Sequence, residues 1–141
     1  MLFLTVAINS AAQAADNQTL TFGVVPQQSA FKTVEMWKPL LNLLGKRSGY
    51  TIHVVPAKDI ATFAAQLAAG AYDLAYMNPY HYTVYHKKPG YIAIAKQDGA
   101  QLKSIIVVRK DAPSQKLIDL NNQTVAFPAP SAFAATIIPL K

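Results

Sequence analysis

The sequence contains no cysteine. No disulfide framework can form and no thiolate metal site can be built, so the fold has to be held by its core alone. Charge is also scarce: 14% of the 141 residues are charged, against 52% hydrophobic. That balance favours a packed globular core and argues against a disordered chain. Glu35 is the only glutamate among seven acidic residues, so a working carboxylate pair would have to draw on scattered aspartates. There is no G-x-S-x-G elbow, no P-loop and no G-x-G-x-x-G, and the reading is of a protein that is not an enzyme and carries no cofactor. No dense basic tract accompanies the net charge of +6. Lys46-Arg47, Lys87-Lys88 and Arg109-Lys110 are the only adjacent basic pairs, which argues against a nucleic-acid-binding arm. A scattered basic surface fits either a solvated exterior or attraction of a small anion.

No apolar run approaches the roughly 20 residues that span a bilayer. The short one at residues 2–8 is followed by small residues, and Ala12-Gln13-Ala14 satisfies the small-x-small rule of signal peptidase. Residues 1–14 therefore read as a signal peptide cleaved after Ala14, although no Lys or Arg precedes the apolar run.

Beyond it, apolar runs alternate with helical periodicity. Residues 20–25 (LTFGVV) read as a buried strand closed by Pro26. Val34, Trp37, Leu40, Leu41 and Leu44 have helical spacing, predicting a helix over 30–46, kinked at Pro39 and ended by Gly45 and Gly49. A strand follows at 50–55. Asp59 is a good N-cap for a helix over 60–69, and Gly70 a good stop. Further strands are expected at 71–77, 91–95, 102–109 and 124–127, with a short helix from Asn78-Pro79 to His86 and a turn and short helix over 113–120. Ser131 can cap a last helix. Alternating strands and helices imply an α/β fold with a mostly parallel sheet. Ligands in such folds lie beyond the carboxyl ends of strands, which selects the loops 26–30, 78–82 and 128–133.

The first of these loops places Gln27, Gln28 and Ser29 beside the unpaired N–H groups of a helix start, a combination suited to an anion or polar ligand. Ser29 is equally suited to capping its own helix. In the second, Asn78 and Pro79 specify a helix start, and Tyr82 and Tyr85, three apart, share a face. Tyr82 offers an apolar wall with a hydroxyl and is the tyrosine expected at the ligand, whereas Tyr76 suits core packing. His81 and His86 are five apart and do not align as ligands would. With His53 they read as surface or packing residues, and no metal site is expected.

Four segments occur in order: FGVVPQQSA (22–30), GAYDLAYMNPYHY (70–82), IIVVRKDAP (105–113) and LNNQTVAFPAPSAF (120–133). Together they resemble the periplasmic phosphate/phosphite/phosphonate-type substrate-binding proteins of ABC importers. The resemblance implies a hinged, two-lobed, type II periplasmic-binding-protein fold. Residues 15–101 would form the first lobe, 102–110 the hinge-crossing strand, and 111–141 the start of an incomplete second lobe. It implies a small anionic solute held in the cleft by Gln27, Gln28, Ser29, Asn78, Tyr82 and Ser131, a membrane permease as partner, and a periplasmic location. Asn78 stands where the family usually has glycine, and Ser131-Ala132-Phe133-Ala134 keeps one hydroxyl of a family loop that carries several. A sensory module fronting a signalling receptor is the alternative use of the same fold.

Overall fold

The computed structural model describes residues 18–99 and 101–140; the signal peptide expected over 1–14 lies outside them. Three parallel strands, β1 (Thr19–Val24), β2 (Thr51–Pro56) and β3 (Leu74–Tyr76), form a sheet in the order β2-β1-β3. Thr19 pairs with Thr51 and Val24 with Pro56 on one side of β1, while Phe22 pairs with Leu74 and Val24 with Tyr76 on the other. Helices α1 (Ala30–Ser48) and α2 (Ile60–Ala68) make the two crossovers, and α3 (Pro79–Tyr85) follows β3.

Because successive strand residues point to opposite faces, the sheet has two separate cores. Phe22 and Val24 pack with Leu41 of α1, joined by Trp37, Ile52, Val54 and Leu74. On the opposite face Val25, Ala57 and Tyr72 pack with Phe63 and Leu67 of α2, with Tyr85 and Tyr91 at the margin. Gly23 belongs to that second face. A Cβ there would lie 2.6 Å from the Tyr72 ring, so only glycine lets the aromatic reach the central strand.

The helix ends follow local chemistry. Ser29 Oγ accepts from Lys32 N–H at 3.3 Å, Asp59 Oδ1 from Thr62 N–H at 2.7 Å, and Asn78 Oδ1 from His81 N–H at 2.8 Å. Each satisfies one of the donors a helix start leaves unpaired. Helix α1 passes through Pro39 as one helix. The carbonyl of Glu35, deprived of its donor, lies on the exposed side, where water can serve it. Gly45 does not end α1. It lies inside, where Tyr50 returns across it so closely that a Cβ would sit 2.7 Å from the Tyr50 carbonyl oxygen. The stop is Gly49, left-handed at φ 79°, whose N–H donates to Gly45 C=O.

Other expectations are corrected. β3 spans three residues rather than seven, because Tyr72 turns into the α2 core and Asp73 turns to Thr21. The strands expected at 91–95, 102–109 and 124–127 are absent from the described residues. These stretches have the apolar content of strands, but a strand also needs a neighbour for its N–H and C=O groups. None is supplied: Ile92 and Ile94 are each 83% exposed, and Ile105 and Val107 are nearly as open. A 3₁₀ turn over Leu117–Leu120 is present where a turn and short helix were expected.

Candidate functional site

β1 is central, so the segments leaving β1 and β3 diverge at their carboxyl ends and open a crevice between them. A pocket of about 140 Å³ lies there, lined by Gln27 and Gln28 from the loop after β1, Thr33, Met36 and Trp37 from α1, and Tyr76 at the end of β3. Its lining side chains are uncharged. Trp37 lies between Phe22 and Tyr76, with ring centroids 4.9 and 4.8 Å away. The first turn of α1 holds no acidic residue, and Ala30 and Phe31 keep N–H groups without an intrahelical acceptor. The helix start beside the glutamines therefore presents uncompensated partial positive charge. Amide and hydroxyl side chains, an aromatic wall and a helix N-terminus can hydrogen-bond and orient a small polar or anionic molecule. A wider groove of about 460 Å³ runs between α1 and β2, lined by Lys38, Lys46 and His53, along the sheet edge rather than at its carboxyl end.

Of the residues singled out from sequence, Gln27 and Gln28 line the crevice pocket, and Ser29 adjoins it as the α1 cap. Asn78 caps α3 two residues beyond β3. Tyr82 is 36% exposed and its ring lies tilted beside that of His86, centroids 5.5 Å apart. Tyr85 does not share its outlook: it packs into the core on the α2 side of the sheet. Ser131 does not cap a helix. Ala132 takes the N-cap position of a π-helical turn, Phe133–Ile137, with no side-chain cap. That turn is held instead by Thr136 Oγ1 donating to Ala129 C=O at 2.7 Å and by Ser104 Oγ donating to Ala134 C=O. Among the described residues, no hydrogen bond, ring contact or described pocket joins Ser131 to the other five.

Thr33, Met36, Trp37 and Tyr76 were missed as pocket residues. Tyr76, expected in the core, is 49% exposed and forms a wall. A signal for this pair existed: Tyr76 follows Leu74 at the strand period of two, and Trp37 follows Thr33 at the helical period of four, so each continues a buried face outward. Of the two roles expected for the histidines, surface or packing, His81 takes the second and is only 1% exposed. Burial lowers its pKa from the ordinary histidine value. Burial raises the pKa of Tyr72 and Tyr91, whereas hydrogen bonds from Thr21 hold Asp73 below the usual carboxylate range.

Among the described residues no group of three or more His, Cys, Asp or Glu could hold a metal ion, and no helix is long and apolar enough to cross a membrane. Over residues 22–141 the chain matches the family described as ABC transporter, phosphonate, periplasmic substrate-binding protein. It is 28% identical over 94 residues to the Phosphate-import protein PhnD of Mycolicibacterium smegmatis. That alignment covers 67% of this chain and 26% of the relative, so the chain spans about a quarter of the length of the curated relative it matches. A solved binding protein component of an ABC phosphonate transporter from Pseudomonas aeruginosa aligns with a TM-score of 0.45 and 20% identity, over 48% of this chain and 22% of that one.

Proposed function

The chain belongs to the phosphonate periplasmic substrate-binding family of ABC transporters, and from that membership we propose that it reversibly binds a small oxyanion, phosphate, phosphite or a phosphonate, for delivery to a membrane permease from the periplasm. Residues 15–101 are assigned to the first lobe, 102–110 to the crossing, and 111–141 to the beginning of the facing lobe. Gln27, Gln28, Ser29, Asn78 and Tyr82 belong to the first-lobe wall of the cleft and Ser131 to the wall opposite. The observation that carries the reading is the crevice between β1 and β3, where two glutamine amides meet the start of α1. Uncharged donors and a helix N-terminus bind an anion without fixing its protonation state, and they release it again.

The test is a titration of the 141-residue chain with phosphate, phosphite, methylphosphonate and sulfate, followed by the fluorescence of Trp37. It is the single tryptophan and it lines the pocket. The pocket is walled on one side by the described residues, so the ligand keeps water on the other and each contact competes with solvent. Saturation is expected at about millimolar concentration, roughly −4 kcal/mol, and Gln28→Ala should weaken it. No response to any of the four anions at about a hundred times that concentration, roughly 0.1 M, would remove the crevice as an anion site.

A further inference from the structure

Among the described residues His81 is one of three fully buried large side chains, with Phe63 and Leu67, yet neither of its ring nitrogens has a hydrogen-bond partner among them. A neutral imidazole carries one N–H donor and one acceptor; an imidazolium carries two donors and a charge. The neutral ring already sits at a cost, and the charged one would be far more costly, because nothing in its surroundings accepts a proton or balances a charge. From α2 it faces the Phe63 ring, edge-on at 5.4 Å. From α3 it faces the phenol rings of Tyr80 and Tyr85, both at 6.3 Å. The same side of the sheet holds the phenols of Tyr72, bonded to Gln66, and Tyr91, bonded to the Tyr72 carbonyl at 3.1 Å. The carboxylate of Asp73, just before β3, is engaged by Thr21 of β1. Lys87 and Lys88, just past α3, are exposed. Burial lowers the pKa of the ring, and among the described residues no charged partner offsets it.

His81 is the buried residue of the seven-residue α3, and its ring meets Phe63 of α2, while Tyr85 of the same helix packs at the margin of that core. The N–H of His81 is held by the Asn78 side chain, and the next residue is Tyr82. We propose that His81 is an acid-sensitive latch: as a neutral ring it docks α3 against Phe63, and on gaining a proton it leaves that site and releases α3 together with Asn78 and Tyr82. The release of α3 follows from the packing alone. Its consequence, loss of ligand contacts in acid, rests on the solute-binding reading above.

The sign is set by the direction of the shift. The folded chain binds the proton less readily than the unfolded one, so docking is complete at neutral pH and weakens as pH falls below the ordinary histidine value of 6.5. Amide hydrogen exchange of the 141-residue chain between pH 7.5 and 5, with no ligand present, separates this from any failure of the binding reading. The protection factors of the Tyr82 and His86 amides, which bond to Asn78 and Tyr82 carbonyls, should fall by up to about tenfold per pH unit below that value. Those of Phe22 and Val24 in β1 should hold. In His81→Leu the α3 protection should be flat over the same range. An equal fall in both proteins, or none in the parent, overturns the proposal. Should His81→Leu fail to fold, the Cε1–H titration of the parent decides: His81 must titrate below the ordinary histidine value of 6.5, and titration at or above that value overturns the proposal.

Discussion

Thr21 and Asp73, 52 residues apart, are joined by three hydrogen bonds: Asp73 Oδ2 accepts from Thr21 N–H at 2.8 Å and from Thr21 Oγ1 at 2.6 Å, and Thr21 Oγ1 accepts from Asp73 N–H at 3.0 Å. The pairing lies one step before Phe22↔Leu74, the first pair of the β1–β3 ladder. A carboxylate takes over where the backbone ladder stops, and this gives Asp73, just before β3, a structural role. Asp73→Ala and Thr21→Val should each lower the urea midpoint, and the double variant should lose less than the sum, since both remove one network. The Asp73 carboxyl is depressed in the fold, so its contribution is present above the unfolded value of 3.8 and lost as pH falls through the lower folded value. Equal acid sensitivity of Asp73→Asn and the parent would count against this.

Gly23→Ala should destabilise the chain by about 1–3 kcal/mol, the usual cost of forcing an extra methyl into a filled core. The added carbon would meet the Tyr72 ring at 2.6 Å. Replacing Tyr72 by leucine in the same chain should recover part of the loss. Thermal unfolding of the two single variants and the double variant measures both effects.

Tyr82 and Tyr85, one turn apart on α3, should separate cleanly. In a full-length relative with these loops, Tyr82→Ala should weaken anion binding by about 1–3 kcal/mol with little change in unfolding temperature. Tyr85→Ala, which opens the α2-side core, should lower stability by about 1–3 kcal/mol and leave affinity nearly intact. Calorimetric titration beside thermal melts distinguishes them, and unchanged affinity for Tyr82→Ala would place that residue outside the site.

Expressed with its own N-terminus in a bacterium, the protein should be cut after Ala14 and recovered from the periplasm beginning at Ala15. Mass spectrometry of the periplasmic fraction reads this directly. An uncut cytoplasmic product would contradict the export reading.

What could be read from the chain was what neighbours in sequence decide. Ser29, Asp59 and Asn78 cap their helices through bonds spanning three residues, and the left-handed glycines Gly49 and Gly70 follow the helix ends they stop. The β1 and β2 runs and the apolar periodicity of α1 needed nothing beyond the local pattern. The loop after β1 was marked as a binding loop for the same reason: a helix start leaves N–H groups unpaired whatever the tertiary fold. Gln27 and Gln28 do line the crevice.

What only the tertiary structure decided depends on which distant segment lies alongside. Residues 91–95 and 102–109 have the composition of strands, but pairing, not composition, makes a strand, because its hydrogen-bonding groups point sideways to another segment. Gly45 was expected to help end the first helix, and Gly23 was one letter of the first strand. Each instead leaves room for a group that arrives from elsewhere, the Tyr72 ring and the Tyr50 carbonyl. Tyr76 and Trp37 were separate apolar residues until the register Val24↔Tyr76 set their rings together over one pocket. His81 was one polar letter in a tyrosine-rich stretch. Its burial, with both nitrogens unpartnered, follows from the docking of α3 on Phe63, eighteen positions earlier in the chain, and no periodicity within α3 distinguishes it from the exposed Tyr82 beside it.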